Sequence, residues 1–388
     1  MALEWVYDNI ENFNGDHKSI CLFGESAGAA CVHLHTMNPN SRKFIKTAIC
    51  QSNNAFCDWL FQKDPLDKTK RLAKLLGASG NSDQDSLEAL IRATPKEIYD
   101  NVMKAIDPNC DELRRNLPFV FKPIIEQESD DAFLTQPPAD LLKNFKNQIN
   151  IPIMFGLNDG DGMTMANYYR NKKLPLFDAD HVRMVPLSLN IDPMSDEAKK
   201  LGKEIKEFYF GEKPIDEKAL PEFVKMMTDF QFTVPQTMSN ELHARYQSGG
   251  KQYVYEFCYD GELNVFKELL KMTEVRGACH FDEIFYLFDC KLVGMNVSEN
   301  SPAGKMRRTM CKMWTNFAKF GNPTPDGEND LPFKWNPVRS AESSNHINID
   351  YLRIGDSIEM KENLYKTRTD FWRQIYEKYN SGLTNPKF

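Results

Sequence analysis

The chain has 388 residues, beyond the ~250–300 at which one hydrophobic core usually stops growing, so length points to two domains or one large α/β domain with insertions. Apolar residues make up 41% and aromatics 12%, which supplies a sizeable core and excludes a mainly disordered chain. A net charge of −7 argues against binding a nucleic-acid backbone, and no run of 18 apolar residues is present to span a membrane.

The opening segment, Met1 to Phe13, lacks the basic region and continuous apolar stretch of a signal peptide. Leu3, Val6, Ile10 and Phe13 recur at three- and four-residue spacing and predict one amphipathic helix flanked by Trp5. A chain that opens at once on a packing helix points to sequence ahead of it. Ser19 to Phe23, bounded by Asn14-Gly15-Asp16, reads as a buried parallel strand. Ala29 to His35 is a small-residue helix, and Thr47 to Ser52 is the next strand. Asp64-Pro65 starts a helix, with Asp as N-cap and Pro at the first position, and Gly77 stops it. Residues 82 to 150 carry helices and one strand, Phe119 to Ile125. Ile151 to Gly156 is another strand, closed by the turn Leu157 to Gly162.

Residues 195 to 248 read as amphipathic helices, and Gln252 to Phe257 as a strand. A Gly-Ala-Cys-His loop and an aromatic helix occupy Val275 to Asp289. Pro302 to Phe320 is a helix stopped by Gly321, Asn345 to Ile354 a short hairpin, and Glu362 to Tyr379 a terminal helix. Strands alternating with helices predict an α/β fold with a mostly parallel sheet flanked by helices. No inter-domain linker interrupts it, so the expectation is one domain over 1–388 with helical insertions at about 60–118 and 190–250.

Nine cysteines are scattered without a CxxC pair, so no zinc site is expected, and an odd count leaves at least one free thiol. Cys21, Cys50, Cys258 and Cys311 lie in apolar runs, where a reduced thiol acts as a small hydrophobe. That favours a reducing, cytoplasmic setting. The lone sequon at Asn296-Val297-Ser298 is weak evidence for secretion.

Chemistry concentrates in Gly24-Glu25-Ser26-Ala27-Gly28, placed between a strand and a helix. In this context it reads as a nucleophile elbow, whose small flanking residues let backbone approach closely. With Gly at 20 of 388, chance yields only about 0.06 such matches, so a solvent-facing serine in a Gly-rich loop is the weaker reading. The Ala27 N–H at the helix start would face developing negative charge. A serine hydroxyl needs a base, and the elbow fold orders its partners Ser, acid, His. Of seven histidines, His280 sits in Arg276-Gly277-Ala278-Cys279-His280, where small residues permit close approach, although a merely satisfied buried histidine weighs equally on spacing alone. Asp161, after the strand at 151–156, fits the acid, with Asp159 a close rival. Against them stand an ordinary Asp/Gly turn and a calcium loop, the latter lacking a full ligand series.

Several segments together resemble type-B carboxylesterases, cholinesterase-like α/β-hydrolases, with insect α-esterases the nearest in flavour. They are Ala2-Leu3-x-Trp5-Val6 with Asn9-Ile10 and Phe13, Leu22 to Ala30, Gln51-Ser52, Cys57-Asp58-Trp59, Gly156 to Gly162, Gly277 to Glu283, Trp314 to Ala318, Gly321-Asn322-Pro323 and Trp335-Asn336-Pro337. The resemblance implies Ser26 as nucleophile, His280 as base and Asp161 as acid. It also implies Glu25 and Ser52 as supporting polar groups, Trp59 as an acyl-pocket wall, a small-molecule ester as substrate, and neither metal nor cofactor. Two departures stand out. Asp161 is one methylene shorter than the family's usual Glu, and Asn53 replaces a usual Gly, which Asn suits because it tolerates left-handed backbone. The family's Gly-rich oxyanion loop has no counterpart before Ser26, since the Gly-Gly pair is at 249–250. The resemblance therefore implies an α/β-hydrolase truncated at the N-terminus, with the loop and several strands upstream of residue 1. A secreted or microsomal origin is then compatible too. Oligomeric state is not encoded in any motif.

Overall fold

The structure, a computed structural model, describes residues 1–62, 65–107, 119–144, 148–170, 173–247, 249–291, 297–327, 330–339 and 347–379. Asp64, the expected N-cap, and the sequon's Asn296 lie outside these residues.

Six strands form one sheet in sequential order: β1 Cys21–Glu25, β2 Thr47–Gln51, β3 Ile153–Asn158, β4 Gln252–Phe257, β5 Asp350–Ile354 and β6 Ile358–Glu362. The first five are parallel and β6 returns antiparallel on β5. Each parallel step needs a crossover, which the intervening helices supply. Every residue of β2, β3 and β4 is buried, as their continuous apolar runs predict for strands covered on both faces.

The period-two alternation of the strands separates two cores. Ala48, Cys50, Ile153 and Phe155 face the elbow helix Ala27–Met37 and Leu242 of helix Val234–Tyr246. Ile49, Met154, Tyr253 and Tyr255 face the opposite side, under Met310, Met313, Trp314 and Phe317 of helix Pro302–Phe320. That helix has the ends its sequence announces. The Ser301 hydroxyl accepts from the Gly304 N–H at 3.0 Å, Pro302 begins the first turn, and Gly321 closes it at φ +65°. A third core joins helices between Met163 and Phe230 to Trp372 of the terminal helix Lys366–Lys378. No helix among the described residues is long and apolar enough to cross a membrane.

Four expectations need correction. The first stripe is not one helix: an α-helix spans Ala2–Asn9 and a 3₁₀ turn spans Ile10–Phe13, with no buried residue in either, and Phe13 is 66% exposed. β1 is half-buried rather than buried, because among the described residues it pairs on one side only, with β2. Phe119 to Ile125 is no strand. Pro123 cannot donate to a ladder, and the segment is held instead by Gln62, whose N–H donates to Pro123 O at 3.0 Å and whose Oε1 accepts from Lys122 N at 3.0 Å. The aromatic helix after His280 is a single 3₁₀ stretch, Asp282–Tyr286.

Candidate active site

β1 runs through Gly24 and Glu25 and stops at Ser26, which turns into the elbow helix with φ +57° and ψ −119°. A non-glycine residue in this conformation stores ~1–3 kcal/mol of strain. The surroundings impose it: the Ser26 N–H donates to Gln51 O at 2.8 Å, and Ser26 O accepts from Ala30 N at 3.1 Å. The side chain is thereby pushed out above the sheet, at the N-terminus of a helix whose first residues, Ala27 and Gly28, are exposed.

His280 Nε2 lies 2.8 Å from Ser26 Oγ, and its Nδ1 lies 2.9 Å from Asp161 Oδ1. Asp161 is fully buried, and its other oxygen accepts from the Asn158 N–H at 2.9 Å. The shorter acid reaches because the acid turn pairs directly with the histidine loop. The Gly160 N–H donates to Ala278 O at 2.9 Å, the Ala278 N–H donates to Asp159 Oδ1 at 2.7 Å, and Gly160 bridges Cys279 in parallel. Asp159, the rival acid, is occupied by that staple and does not touch the imidazole. Burial pushes its carboxyl up to about 7, against the Ala278 N–H, which favours the charged form.

Glu25 Oε1 sits 3.2 Å from His280 Nε2, with a side chain 13% exposed. Burial pushes the Glu25 carboxyl up, although the His280 charge opposes the shift. Burial of His280 by itself favours the neutral ring, but the carboxylates of Glu25, Asp161 and Glu283 outweigh it and hold the imidazolium up to about 9. A general base works only when neutral, so raising the imidazole pKa moves the acid limb of a pH–rate profile that depends on His280 to higher pH. Glu25→Gln removes one of those carboxylates. The acid limb of the kcat/KM–pH profile is expected to move to lower pH by on the order of one unit, and an unmoved limb would refute this assignment.

Two expected neighbours stand apart from the relay. The Ser52 hydroxyl is buried without a partner among the described residues, while its N–H donates to Gly156 O at 2.8 Å. The left-handed residue after β2 is Ser52, at φ +50°, not Asn53. Trp59 is buried in the core beside the elbow helix, its ring 5.1 Å from that of Phe119.

Sequence reasoning did not single out two contributors, Glu283 and Phe232. Glu283 accepts from Gln51 Nε2 at 2.7 Å and Asn158 Nδ2 at 2.5 Å, and Gln51 Oε1 accepts from Trp314 Nε1 at 2.9 Å, which ties β2, β3 and the histidine loop together. Its place three residues after His280 was the available signal. Phe232 packs its ring 4.9 Å from that of His280. It lies in a π-helical turn, Asp229–Thr233, that no periodicity announces. Among the described residues no group of three or more His, Cys, Asp or Glu is arranged to hold a metal ion.

A parallel sheet with a strained serine between its first strand and a helix, and a histidine delivered by a later loop, defines an α/β-hydrolase. The carboxylesterase family profile matches residues 1–372, and the chain belongs to that family. It is 30% identical to esterase FE4 of Myzus persicae over 356 residues, covering 87% of this chain and 59% of that protein. It is 27% identical to bile salt-activated lipase of Bos taurus over 392 residues, covering 97% of this chain and 60% of that one. The chain thus spans about three fifths of the length of these relatives. Among solved structures, juvenile hormone esterase of Manduca sexta, with OTFP covalently attached, matches 97% of this chain and 68% of that chain. The TM-score is 0.79 at 21% identity, a likeness of fold.

Proposed function

We propose that the chain is a serine carboxylic-ester hydrolase acting on small-molecule esters through an acyl-enzyme. The observation that carries this is the unbroken relay from Ser26 Oγ through His280 to Asp161, at 2.8 and 2.9 Å, on a strained elbow. Ser26 Oγ attacks the ester carbonyl while His280 Nε2 takes its proton, and Asp161 stabilises the resulting imidazolium. The Ala27 N–H faces the tetrahedral oxyanion. Collapse breaks the ester C–O bond, and His280 returns the proton to the leaving alcohol. Water activated by His280 then hydrolyses the acyl-serine and releases the acid. The Glu25 carboxyl, 3.2 Å from His280 Nε2, supports the base electrostatically.

The test is covalent labelling by a fluorophosphonate. One adduct per chain on Ser26 is expected, absent in Ser26→Ala, and an adduct that survives that substitution would sink the reading. Hydrolysis by the 388 residues alone is expected to be ~10²–10³-fold slower than by a chain that also carries a Gly-rich oxyanion loop. Turnover of a short chromogenic ester by the two forms checks this, and equal turnover counts against it. A non-catalytic binding or adhesion protein is the second reading, favoured by 25% identity to neuroligin-2 of Rattus norvegicus. Failure of Ser26 to label in a cooperatively folded chain would favour it.

A further inference from the structure

Two buried histidines that the hydrolytic relay leaves out meet end to end. His33 of the elbow helix and His243 of helix Val234–Tyr246 bring their Nε2 atoms within 2.9 Å. Burial keeps both rings neutral, lowering His243 to about 3. One backbone bond then fixes where the protons sit. The Ala55 N–H donates to His33 Nδ1 at 3.1 Å, so that nitrogen is bare and the His33 proton is on Nε2. His33 Nε2–H therefore donates to His243 Nε2, which leaves the His243 proton on Nδ1.

That Nδ1–H has no partner among the described residues, yet it is not one of the enclosed, unpaired polar atoms of the interior, although His243 is only 5% exposed. It therefore keeps some accessible surface, and the space His243 borders is a cavity of about 350 Å³. The cavity lies where β3 and β4 begin, at Ile153 and Gln252, the end of the sheet opposite to Ser26. The two amides beside it offer a ligand nothing. Gln247 Oε1 accepts from the Ile149 N–H at 2.8 Å, and its Nε2 donates to Leu142 O at 2.5 Å. Gln252 Nε2 donates to Asn240 Oδ1 at 2.6 Å, and its unpaired Oε1 has essentially no accessible surface. The unmet polar group of this cavity is thus a hydrogen-bond donor.

Charge narrows the ligand further. Lys251, exposed, is the charged side chain of the lining, and it forms no ion pair among the described residues. No carboxylate among the described residues lines the cavity. A buried donor, an exposed ammonium without a counter-ion and hydrocarbon from Ile149, Ile151 and Val338 together select an anion with an apolar body. Volume sets the size: an apolar cavity of ~150 Å³ accommodates benzene, so this one has room for about ten non-hydrogen atoms. We propose that this cavity is a second small-molecule site, separate from Ser26, that takes an aliphatic monocarboxylate. The carboxylate accepts from His243 Nδ1–H with Lys251 as its counter-ion, and the chain lies on Ile149, Ile151 and Val338.

Calorimetric titration of the full chain with hexanoate tests this. One saturable site with Kd of about 1 mM is expected, in the range for a ligand this small. Hexan-1-ol, which has the same chain but no charge, should bind about tenfold more weakly or worse. His243→Phe removes the donor and Lys251→Glu reverses the charge at an exposed position, so each should weaken hexanoate binding by about tenfold or more. Lys251→Glu decides the matter if His243→Phe fails to fold, as judged by its denaturation midpoint. No saturable heat would overturn the proposal, as would hexan-1-ol binding as tightly as hexanoate. Binding unchanged in either folded variant would overturn it too, by placing the carboxylate elsewhere, the pocket at Ser26 included. Because the readout involves neither Ser26 labelling nor turnover, its failure is distinguishable from failure of the hydrolase reading.

Discussion

Replacing His280 with Gln is expected to lower kcat for a short ester by about 10⁴-fold or more, with little change in KM. The ring touches the two groups that a proton relay must join, Ser26 Oγ at 2.8 Å and Asp161 Oδ1 at 2.9 Å. Gln cannot accept the serine proton at neutral pH, so the hydroxyl is left at its ordinary low reactivity. The side chain also packs against Phe232, so Gln, close to it in volume, limits the disturbance. Steady-state turnover, with the denaturation midpoint as a check on folding, decides the matter. A residual rate within tenfold of the parent would show that another group takes the proton. Asp161→Asn is the graded companion: it keeps the shape of the turn but removes the charge that favours the imidazolium.

The parts of the fold that sequence made legible are those that local physics determines. β2, β3 and β4 are buried on both faces and therefore read as unbroken apolar runs. Helix Pro302–Phe320 carries its own start and stop in Ser301, Pro302 and Gly321. The elbow is legible because its steric demands permit so few residues. What sequence left open depended on partners distant in the chain. Asp159 and Asp161 are equivalent as letters in a turn, and only the Ala278 N–H, 119 residues from Asp159, assigns one to the staple and leaves the other for the imidazole. The burial of β1 depends on what lies beyond its outer edge, about which its own residues are silent. Phe232 reaches His280 through a π turn, a single extra residue in the helical repeat that the hydrophobic period does not reveal. Phe119 to Ile125 has strand-like composition, but Pro123 removes a donor, and Gln62 takes up the bonds that a neighbouring strand would have made.

The two glycines of the elbow motif are predicted to respond oppositely to a methyl group, although the motif treats them alike. A Cβ on Gly24 would lie 2.4 Å from both the carbonyl carbon and the oxygen of Gly28, and 2.8 Å from Ala29 N. These are backbone atoms of the elbow helix, which packs closely on β1 and β2 and cannot withdraw without taking Ser26 out of its turn. Gly24→Ala is therefore expected to destabilise the fold by ~3 kcal/mol and to abolish fluorophosphonate labelling even where folding survives. At Gly28 an added Cβ meets nothing within 4 Å, the backbone is helical, and the position is exposed. Gly28→Ala is expected to leave the midpoint unchanged or to raise stability by ~0.5–1 kcal/mol, as alanine does within a helix. Any loss of turnover in that variant then reports on access to Ser26 rather than on the fold. Chemical denaturation midpoints and labelling rates for the pair test the contrast. Equal destabilisation by both substitutions would mean that the elbow is packed more tightly over Gly28 than its open surroundings indicate. Equal tolerance of both would mean that the helix can slide away from β1, and that Ser26 is not held in its strained turn by the contact at Gly24.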